Sequence, residues 1–228
     1  MIESHISPSG LVLDDLGPEN FPHLQGMGRR QRRAAETRLR LFRCALQLFS
    51  QRGFPNVTVE DITEAADVGK GTFFNYFESK DHVMGVMAEI QLGKVREAVA
   101  VAKTGRQTIY AVLQYMFQRV AEEPGRSPDL TRALITSFLA SEAVRRNIEH
   151  NLSEGRKLVA GIVSTGQERG EIDPRLKKEK VALQLQQAVM GTLLLWSLQG
   201  KPALAGRLEE SFQHFWRAIR VSNAEQKR

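Results

Sequence analysis

The sequence predicts an all-α fold, and three observations predict it. Apolar residues recur at helical spacing between Leu41 and Phe49, Thr58 and Asp61 stand three apart at the head of an apolar stretch, and residues 181–219 carry two long apolar stripes of helical period. A chain of 228 residues has room for one small helical domain and one larger one, each with its own core.

Residues 1–28 contain Pro8, Gly10, Gly17, Pro18, Pro22, Gly26 and Gly28 without sustained periodicity, so a flexible extension is expected there. This stretch has four acids (Glu3, Asp14, Asp15, Glu19), no Lys or Arg and no continuous apolar run, unlike a secretory signal.

Positive charge then begins abruptly. Between Arg29 and Arg43 stand seven arginines (29, 30, 32, 33, 38, 40, 43) and one acid, Glu36, within the +6 formal charge of the chain. A basic balance favours an anionic partner without choosing between DNA, RNA and membrane. Leu41, Phe42, Ala45, Leu48 and Phe49 give the same stretch an apolar face, so it is expected to be an amphipathic helix whose arginines track phosphates.

Residues 58–80 read as two short helices around a tight turn. Thr58 caps the first, with Asp61 completing the reciprocal bond and Val57 and Ile62 stapling the entry, so a helix starts at Val59. Ile62, Ala65, Ala66 and Val68 supply its apolar face. Asp67 falls at the turn and tolerates the left-handed conformation. From Lys70 a second helix turns Phe73 and Phe77 inward and leaves Lys70, Thr72, Asn75 and Tyr76 on other faces.

This is the outline of a helix-turn-helix, whose second helix fits the major groove and whose N-terminal amides favour phosphate. Gly71 lets the backbone approach closely. Lys70 reaches a guanine edge or a phosphate, Thr72 and Asn75 bond bases or backbone, Phe74 touches a thymine methyl, and Tyr76 and Lys80 suit phosphates. The expected DNA-contacting set is Arg38, Thr58, Lys70, Gly71, Thr72, Phe74, Asn75, Tyr76 and Lys80.

The run Thr37-Arg38-Leu39-Arg40-Leu41-Phe42-Arg43-Cys44-Ala45-Leu46-Gln47-Leu48-Phe49, with Gly53-Phe54, Val57 to Ile62, Lys70 to Phe77 and Ser79-Lys80, resembles the N-terminal domain of TetR-type transcriptional regulators. The resemblance covers the first third of the folded chain and implies a dimeric regulator of palindromic operator DNA, released by a small-molecule effector. Three positions depart from the family pattern. Asp67 stands where the family has Gly, Gly69 where it has Ser, and Phe74 where it has Tyr, so position 74 offers only an apolar contact. These departures keep open a helical interaction or sensor module that has lost specific DNA binding.

Beyond the reader, helix breaks are expected near Lys103 to Gly105, at Pro124-Gly125, around Pro128 and at Gly170 to Pro174. If the resemblance holds, the sensing cavity lies between Asp81 and Gly170. Met84, Met87, Tyr110, Leu113, Met116, Phe117, Leu134, Phe138 and Ile148 are its candidate lining, with Ile90, Val144 and Leu152 beside them. Such a lining suits a hydrophobic or amphipathic ligand, although the same residues serve equally as core.

The two C-terminal helices carry more apolar surface than one core covers. Leu185, Ala188, Val189, Leu193 and Trp196 on the first, and Leu208, Phe212, Phe215, Trp216 and Ile219 on the second, are expected at a four-helix homodimer interface. The uncharged stretch Val181 to Gly200 is the one candidate membrane span, but Gln184, Gln186, Gln187 and Gln199 argue for a helix of a helical bundle instead.

His5, His23, His82, His150 and His214 stand in no two-ligand metal spacing, and neither a phosphate loop nor a nucleophile elbow is present, so no enzyme, metal or cofactor is expected. The single Cys44 rules out an intramolecular disulfide and reads as a packed thiol in a reducing cytoplasm. The expected domains are an extension over 1–28, a helix-turn-helix domain over 29–78, a regulatory and dimerisation domain over 79–223 and a tail over 224–228.

Overall fold

The computed structural model describes residues 29–122, 124–201 and 203–221. The expected extension over 1–28 and tail over 224–228 lie outside them. The chain is helical: α1 (Arg29–Arg52), a 3-10 turn (Phe54–Asn56), α2 (Val59–Ala65), α3 (Lys70–Phe74), α4 (Lys80–Thr104), α5 (Ile109–Ala121), a second 3-10 turn (Pro124–Arg126), α6 (Pro128–Ala140), α7 (Glu142–Glu168), α8 (Lys178–Gln199) and α9 (Leu204–Ile219). The extended pairing among the described residues is an isolated antiparallel bridge between Ile172 and Arg220.

The described helices form two compact units, one of residues up to 90 together with 126–148, the other of residues 91–125 together with those from 149 onward. α4 and α7 each begin in the first unit and end in the second. The first unit is built on α1, whose Leu41, Phe42, Ala45, Leu46, Leu48 and Phe49 are buried in one core with Phe54, Ile62, Phe73 and Phe77. That core extends beyond the reader helices, taking in Val83, Met84 and Met87 from α4 and Leu130, Ala133 and Leu134 from α6, which packs on α1. Ser127 caps α6 by accepting from the Asp129 and Leu130 amides, and Pro128 sits at its first position, where the missing N–H costs nothing.

Cys44 packs between α1 and α2, its Sγ 3.5 Å from the Ala65 carbonyl oxygen. Burial pushes the thiol up from its usual range, partly offset by the Arg40 charge. The thiolate is the reactive form, so at pH 8 Cys44 is expected to react with a disulfide reagent far more slowly than in denaturant. Equal rates in the two conditions would contradict a packed thiol.

The second unit has its own core, in which Leu113, Met116 and Phe117 of α5 meet Val163, Ile172, Leu185, Leu208 and Phe212. Tyr110, Phe117, Phe212 and Trp216 form an aromatic cluster with centroid separations of 5.0–6.4 Å. The connection after α7 is tied on both sides. Glu171 Oε2 accepts the Ile109 amide at 2.7 Å, and the Asp173 amide donates to the Ile219 carbonyl at 2.9 Å.

Two expectations change here. Leu185, Trp196, Leu208, Phe212 and Ile219, expected between protomers, are buried within one chain because α9 lays its apolar stripe inward. Ala188, Val189, Leu193, Phe215 and Trp216 remain half-buried. The outward apolar face of α8 is instead Leu183, Leu194, Leu195 and Leu198, which are 41%, 45%, 55% and 67% exposed. The candidate cavity residues also divide: Met84, Met87, Leu134, Phe138 and Ile148 belong to the first core, and Tyr110, Leu113, Met116 and Phe117 to the second.

Candidate nucleic-acid interface

The sequence around α2 folds as its capping residues dictate. The Asp61 amide donates to Thr58 Oγ1 at 3.1 Å, and the Thr58 amide donates to Asp61 Oδ2 at 2.8 Å, closing the reciprocal box that starts α2 at Val59. The Thr58 hydroxyl and amide hold the Asp61 carboxyl below the usual carboxylate range. Its contribution is therefore present above the unfolded pKa and is lost as pH falls through the lower folded one. Val57 and Ile62 are both buried, as a staple requires, and Arg52 adds an ion pair to Asp61 at 2.9 Å.

Asp67 carries φ 49°, the left-handed conformation that the turn needs. Within α2 the division of faces is narrower than its composition suggests, because Ile62 and Ala66 are buried while Ala65 is exposed. Gly69 is the N-cap of α3 without a side-chain bond, leaving that end's amides uncapped by a side chain.

α3 is short. It ends at Phe74, Asn75 is its C-cap, and Phe77 lies beyond it. Phe73 and Phe77 nevertheless anchor it, both fully buried with ring centroids 5.4 Å apart. Their burial fixes what faces outward: Lys70, Gly71, Phe74 and Asn75 are exposed, and Thr72 and Tyr76 are half-buried. Gly71 has open space where a Cβ would stand, and Phe74 is 49% exposed. Arg38 of α1 lies over the Phe77 ring at 5.7 Å, which ties its guanidinium to the end of this surface.

Lys80 is placed otherwise than expected. Its ammonium donates to the carbonyl oxygens of Phe54, Pro55 and Val57 at 3.0, 3.3 and 2.9 Å and sits 4.7 Å from the Phe54 ring centroid. All three of its donors are thereby occupied, and the side chain fastens the start of α4 to the 3-10 turn rather than offering charge to phosphate. Lys80→Met is expected to lower unfolding free energy by about 1–3 kcal/mol in a urea melt, because the carbonyls lose their donor. It is expected to leave the salt dependence of duplex binding unchanged; a slope shallower by about 0.9 would restore the phosphate role.

The sequence reading missed Glu60. Its carboxylate forms an ion pair with Lys70 across the turn, and that hydrogen bond holds the Glu60 carboxyl below the usual range. Its spacing from Lys70 in sequence corresponds to no helical repeat, so only the folded turn brings the two together. Among the described residues no group of three or more His, Cys, Asp or Glu is arranged to hold a metal ion.

Two short helices crossing at a left-handed turn, with the second anchored by aromatics and showing a polar edge, define a helix-turn-helix protein. A family model described as "Bacterial regulatory proteins, tetR family" matches residues 41–85. Through this segment the chain is similar to the tetR family. It is 48% identical over 58 residues, 25% of this chain and 26% of the relative, to the HTH-type transcriptional regulator TcmR of Streptomyces glaucescens. It is 28% identical over 166 residues to the HTH-type transcriptional repressor KstR of Mycolicibacterium smegmatis, covering 71% of this chain and 76% of that one. Among solved structures, Thermus thermophilus FadR, a TetR-family repressor in complex with lauroyl-CoA, superposes with a TM-score of 0.58 at 27% identity, covering 82% of this chain and 96% of FadR.

Proposed function

We propose that this protein is a ligand-responsive transcriptional repressor that binds a palindromic operator as a homodimer and is released by a hydrophobic or amphipathic effector. The observation that carries the reading is α3, whose buried Phe73 and Phe77 present Lys70, Gly71, Thr72, Phe74 and Asn75 on one accessible edge. Arg38 and Tyr76 flank that edge as phosphate contacts, and Thr58 stands at the N-cap of the supporting helix. Relatives named as transcriptional repressors favour repression over activation. They also favour regulation over catalysis.

The second protomer answers a specific surface problem. α8 is long and apolar enough to cross a membrane by length and composition, yet 28% of its most apolar stretch is buried within the chain. Leu183, Leu194, Leu195 and Leu198 share its outward side, beside half-buried Met190 and Gly191. Pairing with a second α8 covers this surface, with Ala188, Val189, Leu193, Phe215 and Trp216 at its margins. A two-fold pair of α3 helices then matches two half-sites about one helical turn apart.

FadR in complex with lauroyl-CoA supports an amphipathic effector, as does the apolar, methionine-bearing composition of the candidate lining residues. α4 runs from the first unit into the second, so an effector that binds one setting of this helix better changes the separation of the recognition helices. Such a regulator acts in the cytoplasm, where its DNA lies.

The competing reading, a helical module without specific DNA binding, rests on Asp67, Gly69 and Phe74. Asp67 adopts the turn conformation that Gly would, and Gly69 leaves α3 formed. Repeated selection of bound duplexes from a randomised pool tests the choice. Enrichment of one palindromic sequence by the native chain and none by Lys70→Ala supports the repressor; a pool that stays random supports the module.

A further inference from the structure

Lys70 occupies the first position of α3, where a cation opposes the positive end of the helix dipole. Among the described residues its charge is matched by the Glu60 carboxylate on α2. Both side chains are more than half exposed, 57% for Lys70 and 62% for Glu60, so the pair stands on the surface and contributes little to stability. Its consequence is electrostatic and falls on the presented edge of α3.

We infer that Glu60 is a specificity-determining residue of the DNA-reading surface: it holds Lys70 in an intramolecular ion pair, so that sequence-independent phosphate must displace a carboxylate to engage this lysine. This inference rests on the DNA-reading role of α3 proposed above. On a random duplex, the gain from one phosphate contact is offset by breaking the pair and by bringing the Glu60 anion close to the polyanion. On the operator, bonds from Thr72, Asn75 and Lys70 to base edges supply the difference. Glu60 thus weakens non-specific binding more than specific binding, which is how a repulsive element sharpens discrimination.

The test uses the full chain and a random-sequence duplex, so it requires no knowledge of the operator. Binding is titrated by fluorescence anisotropy across a salt series for the native protein, Glu60→Gln, Lys70→Ala and the double variant, after thermal melts confirm that all four fold. Glu60→Gln is expected to bind the duplex roughly three- to tenfold more tightly at low salt, with a log K against log salt slope steeper by about 0.9, the contribution of one added phosphate contact. In the Lys70→Ala background the same substitution is expected to change neither quantity.

An equal gain in both backgrounds would mean that Glu60 acts through the general field and not through Lys70, and would overturn the inference. So would no gain, or a loss of affinity on Glu60→Gln, which would make the carboxylate a base contact. Absence of salt-dependent binding by the native protein and every variant would instead overturn the DNA-reading function itself.

Discussion

Phe77→Ala is expected to remove about 3–5 kcal/mol of stability from the first unit, the cost of deleting a fully buried aromatic side chain. The ring contacts Phe73 at 5.4 Å and His82 at 5.9 Å, and lies under the Arg38 guanidinium at 5.7 Å. Its loss frees the anchor of α3, the entry to α4 and the guanidinium at one stroke. Since domains of this size have about 5–15 kcal/mol in total, the reader should be partly unfolded at ordinary temperatures. A urea melt followed by circular dichroism measures the effect, with Phe74→Ala as the control. Phe74 is 49% exposed, so its truncation should leave the melt nearly unchanged while weakening duplex binding. Equal destabilisation by the two substitutions would contradict the division of α3 into an inward and an outward face.

The second large effect is on assembly. Leu194 and Leu198 stand one helical turn apart on the outward side of α8, 45% and 67% exposed. Burying a leucine contributes about 1.5–3 kcal/mol, and a two-fold interface buries each position twice. Replacing both by Glu removes that contribution and places like charges opposite one another. Sedimentation velocity is expected to find the native protein as a dimer and Leu194→Glu/Leu198→Glu as a monomer with unchanged helix content. Operator affinity should fall with dimerisation, because one recognition helix then reaches one half-site. A native protein that sediments as a monomer at micromolar concentration would contradict the assignment of this face.

Local rules were legible wherever the chemistry was local. The capping box of Thr58 and Asp61, the left-handed Asp67 and the inward Phe73 and Phe77 follow from spacing and side-chain type, and each stands in the structure as the sequence implies. The breaks at Thr104, Pro124 and Gly170 were readable for the same reason, since Gly and Pro act on their own backbone. The start of α7 after Ser141 carries no Gly or Pro, so nothing local in the sequence marks it.

What was not legible depended on which faces meet. Apolar stripes on α8 and α9 say that both helices bury something, but not whether the partner is the same chain. The structure spends the stripe of α9 internally and leaves four leucines of α8 outward. The long side chains were equally opaque: Lys80 turns back onto three carbonyls, and Lys70 finds Glu60 across the turn. A lysine's identity shows that charge is present, while its partner is set by backbone placement. The division of Met84 and Phe117 between two cores is likewise a tertiary fact, since both read simply as apolar.

Whether this chain reads a specific DNA sequence is decided by fluorescence-anisotropy titration onto duplexes tiled from its own upstream region at several salt concentrations. One tile is expected to be bound far more tightly than the rest, with two protomers per duplex, a steep loss of affinity as salt rises, and weakening in Lys70→Ala. Weak binding of equal strength to every tile, unaltered by that substitution, would contradict sequence-specific reading.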